Sequence, residues 1–286
     1  MKQRICFLLL LSICAVLEPM DWPLDYALLT DNFGKNKRGV PVLGMSFAVE
    51  GTLTAADAGD LLFVTKESYK ASRLPSPLGT WFAVDQGNGM LGIYSRLSDE
   101  DIQTLPYRIE QGTPLISTGH SGFSEQEGFH FSLYDRRERQ WVNPVKFAPP
   151  LQDTRLPSIQ QVRMRNNDGG IFTIAPRQRI AQGQWTVYVT VMDLVDSNEH
   201  SLAPHSISLL LNGSEFSRLD FETIITHDGM LMVERNGLVP VQKVYAAAPS
   251  FELGTVRLTR GQASIEITAR DSRGNSRNAL FDLVVE

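Results

Sequence analysis

Cysteine is almost missing from these 286 residues: there are two, Cys6 and Cys14, and both sit in the N-terminal apolar stretch. Outside it the chain can build no disulfide framework, thiol nucleophile or cysteine-ligated zinc. Histidine is scarce, with five, so imidazole clusters can form in few ways. An excess of positive charge is also missing. Lys and Arg number 27 against 32 Asp and Glu, a net charge of −5. A nucleic-acid partner needs a basic face to displace phosphate counterions, so that class is excluded. Sustained helical periodicity is absent, and so are low-complexity tracts and internal repeats.

What is present begins with Met1-Lys2-Gln3-Arg4, a cationic lead, followed by the apolar Ile5 to Leu17. That length suits a signal-peptide core and is too short to cross a bilayer core of about 30 Å as a helix. Glu18-Pro19 ends the run, so residues 1–20 read as a signal peptide and the protein as exported, to the periplasm or cell envelope. No clean A-x-A marks the cleavage point. Leu11-Ser12-Ile13-Cys14 admits a lipoprotein reading in which Cys14 carries the anchor, against which stands the bulk of Ile13. Membrane association is expected only by that route.

From Trp22 to Phe147 short strands alternate with glycine turns, among them Met45–Val49, Asp60–Thr65, Trp81–Asp85, Leu91–Tyr94 and Phe129–Tyr134. Residues 149–157 carry a proline-rich linker, as expected where few contacts cross. Beyond it Trp185–Val191 and Ser264–Ala269 alternate strictly, and Asn212-Gly213 and Asn236-Gly237 are hairpin turns. The expectation is an all-β chain: one domain over 21–148 and an immunoglobulin-like β-sandwich over 158–286. Ile207–Leu211 and Met230–Glu234 are expected to permit strand-addition contacts. The Lys35–Arg38 and Arg136–Arg139 clusters read as solvated loops. His200, His205 and His227 are scattered and read as surface or turn residues, not metal ligands.

The strand segment Gly128-Phe129-His130-Phe131 matters because alternate strand residues share a face and can meet one ion. Together with Trp22-Pro23-Leu24, Leu43–Ala48, Glu50–Phe63, Tyr94-Ser95-Arg96-Leu97 and Gln111–Gly122, it resembles the lysostaphin-type, LytM-like zinc endopeptidases of bacterial cell walls. The resemblance runs over most of residues 22–147.

Position by position, the resemblance puts the family's zinc ligands on Val42, Ser46 and His130. Its two further active-site histidines fall on Arg96 and Gly128. Valine cannot ligate, serine ligates poorly, and a catalytic zinc needs three protein ligands with an open position. Hence no zinc or other cofactor is expected, and no peptidase activity. Among Asp57, Asp60, Asp85, His120, Glu125 and Glu127, His120 is the best substitute ligand. The implied role is a non-catalytic envelope module. It would bind peptidoglycan peptide or a wall hydrolase through a vestigial cleft with Arg96, His130, His120 and Ser46 as candidate contacts. The loops Phe33–Val40, Leu74–Trp81 and Ser121–Phe129 would frame that cleft. Two alternatives remain open: an active metallopeptidase with an unusual site at His130 and His120, and an architectural adaptor acting through its C-terminal domain.

Overall fold

The structure is a computed structural model that describes residues 19–25, 28–67, 76–100, 102–124, 126–150, 152–196 and 199–286. The expected signal segment, including Cys14, falls outside these except at its last two residues, as does Glu125. The fold is all-β. Among the described residues, no helix is long and apolar enough to cross a membrane.

In the first unit the strands Gly59–Thr65, Thr80–Asp85, Met90–Leu97 and Phe129–Asp135 form successive antiparallel neighbours. Phe129–Asp135 then pairs with Met45–Phe47 and, further along, with Gln140–Val142. Strand alternation sends one face inward. Phe82 stacks on Tyr94 at 4.7 Å between centroids, and Tyr94 meets Phe131 at 4.9 Å. All three are fully buried, with Leu53 and Leu97 beside them.

The second unit is a two-sheet sandwich. One sheet contains Ser206–Leu211, Ser214–His227, Gly261–Arg270 and Ser276–Val285; the other runs Ile171–Thr173, Ser158–Asn166, Gly183–Met192, Phe251–Leu258. Both asparagine–glycine pairs make the expected turns, with Asn212 and Asn236 at φ 53°. Ser206–Leu211 is paired on both sides, by Ser214–His227 and Gly261–Arg270. Met230–Arg235 is paired on both sides too. Neither presents the free edge that strand addition requires, which corrects that expectation.

The units are joined more tightly than the proline-rich stretch suggested. Gln140–Val142 of the first pairs with Thr223–Ile225 of the second, so one sheet runs through both. The cores exchange side chains as well. Phe33 lies in the second unit's cluster, while Val195 and Leu202 lie in the first unit's. Burying a side chain such as Phe33 is worth about 1.5–3 kcal/mol, and the polar seam adds Asn32 bonded twice to Ala203. The prolines stiffen a short crossing over a closed joint.

Candidate functional site: a cationic cleft

His130 lies opposite Ser46 on one neighbouring strand and Ser95 on the other. The register puts these three on one face, while Phe131, Tyr94 and Met45 face the core. The imidazole is closed in. Nδ1 is 2.9 Å from Ser46 Oγ and Nε2 is 2.9 Å from Ser132 Oγ. A neutral ring has one donor and one acceptor nitrogen, so one serine donates to it and the other accepts. Burial drives its pKa down to about 3, with the Arg96 charge adding to the effect and Asp31 opposing it.

Glycine closes the site from two sides. A Cβ at Gly44 would stand 2.1 Å from Phe131 O and 2.9 Å from His130 Nε2, so main chain packs against the ring's edge. A Cβ at Gly128 would stand 2.0 Å from Phe47 O. No side chain, and so no imidazole, fits at position 128 while these strands keep their spacing.

Arg96 enters this face through a β-bulge. The register between Thr80–Asp85 and Met90–Leu97 shifts at Arg96, which takes φ 67°. A bulge re-aims a side chain. Here Arg96 Nη1 donates to Ser46 Oγ at 3.4 Å.

Above Ser46 and Arg96 opens a cavity of about 210 Å³. The Lys35–Arg38 cluster, expected to be a solvated loop, contributes to its wall. Asn36-Lys37 pairs with Val40-Pro41 in a tight hairpin. Lys35 and Lys37 reach back to Asp31 at 2.7 and 3.0 Å. Burial alone would raise the Asp31 pKa, but the two lysines override it and hold the carboxyl below its usual value. Three cations, Lys35, Lys37 and Arg96, and one carboxylate, Asp31, thus stand among the described residues of the lining. Ser124 and Gln126 line the rim, and His200 is contributed by the second unit.

Of the residues singled out in the sequence, Ser46, Arg96 and His130 are brought together. Val42 is not: its amide and carbonyl bond Lys35 and Gly34, and it does not line the cavity. His120 and Glu127 are exposed, Asp57, Asp60 and Asp85 are half-buried, and none of the five lines the cavity. Of the three framing loops, residues 33–40 and 121–129 contribute, whereas the described part of 74–81 does not line the cavity. Asp31 and His200 had no signal in the sequence, because nothing local ties either to the H-x-H-like strand.

A protein-family model matches residues 156–286, less than half of the chain. No curated protein matches. Among solved structures the chain is similar to the catalytic domain of the prophage-encoded protein EnpA from Enterococcus faecalis, at 21% identity and TM-score 0.34, covering 41% of this chain and 88% of that one. A zinc-containing peptidase from Vibrio cholerae is 17% identical at TM-score 0.38, with 46% of this chain and 41% of that chain covered. The catalytic domain of the antimicrobial peptidase lysostaphin from Staphylococcus simulans is 16% identical at TM-score 0.31, with 37% and 77% covered. At these identities and scores none of the three fixes what this chain does.

Proposed function

We propose that this is a non-catalytic cell-envelope protein whose peptidase-like cleft binds an acidic cell-wall peptide. The observation that carries the reading is the charge of the cavity: among the described residues that line it, Lys35, Lys37 and Arg96 are cationic and Asp31 is acidic. Such a surplus favours a carboxylate, and a guanidinium can meet one through two parallel hydrogen bonds. Peptidoglycan stem peptides carry carboxylates of this kind.

The donor set does not fit a catalytic zinc. Of the three positions the sequence resemblance assigns to ligands, only His130 carries an imidazole, and both of its nitrogens are engaged by serines. Position 128 admits no side chain. These residues offer no hydrolytic step.

Calorimetric titration with a soluble disaccharide–peptide fragment of peptidoglycan tests the reading. Binding is expected to weaken about tenfold in Arg96→Gln, in line with the loss of one charge-assisted contact, and to weaken as salt rises. Absence of binding at millimolar fragment would overturn it. So would release of cleaved peptide after loading with zinc chloride.

A further inference from the structure

Some distance from the cleft, at the seam between the units, three carboxylates converge. Asp153 comes from the crossing segment, Asp193 from the end of strand Gly183–Met192, and Asp271 from the turn after Gly261–Arg270. One oxygen of each lies within 4.8 Å of the others. Asp193 is 5% exposed and Asp271 1%. Like charges so placed and so buried repel strongly and are retained only with compensation.

Two of the three are fixed by donors. Asp271 accepts from the Arg273 and Asn275 amides and from Asn275 Nδ2. Asp153 accepts from the Arg155 and Asp196 amides. Asp193 is different: its Oδ1 is buried and has no hydrogen-bond partner among the described residues. A buried acceptor left unpaired costs about 1–3 kcal/mol, more when charged. Burial first, and then the charges of Asp271 and Asp153, push its pKa up to about 7, while the Leu194 amide and then the Arg155 charge offset part of this.

We propose that Asp153, Asp193 and Asp271 hold a calcium ion that clamps the junction between the two units. The donors are all hard oxygens, with no nitrogen or sulfur, which suits calcium over zinc. The spacing permits it: three oxygens spread evenly round one calcium at about 2.4 Å stand about 4.2 Å apart, inside the 4.8 Å that bounds the separation of these three. The orphaned Asp193 oxygen gains its missing partner and the crowded charge is neutralised. Because Asp153 belongs to the crossing segment and the other two to the sandwich, the ion ties that segment down. Thr154 already bonds Asp196 there through both its amide and its hydroxyl, and Asn275 Nδ2 donates to Asp153 O.

The test is calorimetric titration of EDTA-treated protein with calcium chloride, alongside thermal melts with and without the ion. One ion is expected per chain, with Kd on the order of 10⁻⁴–10⁻³ M. Saturating calcium should raise the Tm by about 2–8 °C, reversed by EDTA. Asp193→Asn should bind at least tenfold more weakly and melt no lower than the parent in EDTA, since it removes a repelling charge. Asp153→Asn, in the half-buried crossing segment, gives the same readout where Asp193→Asn folds poorly. Absence of both heat and Tm shift at 10 mM calcium would overturn the proposal and leave Asp193 as a protonated buried acid. Unchanged calcium affinity in both variants would overturn it equally.

Discussion

His130 shows how a residue of ligand type becomes structural. Its burial, helped by the Arg96 charge, holds it neutral down to about pH 3, whereas an unfolded chain protonates it near its ordinary 6.5. The folded pKa is the lower one, so the unfolded state binds the extra proton between these values and stability falls as pH falls from about 6.5 to 3. The full shift corresponds to about 5 kcal/mol at the acid end. Urea unfolding at pH 7, 5 and 4 should show a clearly steeper loss for the parent than for His130→Gln. Parallel losses would mean that the ring is not held neutral. Gly128 makes the complementary prediction. Gly128→Ala drives a methyl against Phe47 O and should cost about 3 kcal/mol or more, read as a lowered urea midpoint.

At the scale of elements, the bulge at Arg96 trades stability for placement. A non-glycine residue at positive φ costs about 1 kcal/mol. Arg96→Gly should therefore hold or raise the urea midpoint while weakening binding of the peptidoglycan fragment. A variant that loses both together would make Arg96 a structural residue. The strands themselves were legible: alternation at 129–134, 185–191 and 264–269 and the two asparagine–glycine turns each mark an element that forms. The bulge was not, since the Tyr94–Leu97 segment has neither a glycine nor a break to announce it. Lys35 and Lys37 read as solvated because their partner Asp31 lies on a strand outside their hairpin. The cluster of Asp153, Asp193 and Asp271 escaped because the residues are separated by 40 and 78 positions in sequence and meet only through the fold.

The whole molecule behaves as one body with two cores. Phe33 crosses one way and Val195 and Leu202 the other, beneath a sheet continuous through Gln140–Val142. Calorimetric unfolding should give a single transition, and residues 19–148 alone should be poorly soluble, with Phe33 and the edge of Gln140–Val142 exposed. Two well-separated transitions would contradict this. The joint also bears on the cleft, because His200 of the second unit lines a cavity otherwise built by the first.

The proposed function is binding without cleavage. It is tested most directly by co-sedimentation of the purified protein with isolated peptidoglycan sacculi in added zinc chloride, with soluble fragments measured in the supernatant. The parent protein should pellet with the sacculi, Arg96→Gln should pellet several-fold less, and no fragments should be released by either. Failure of the parent protein to pellet, or release of fragments that His130→Gln abolishes, would contradict it.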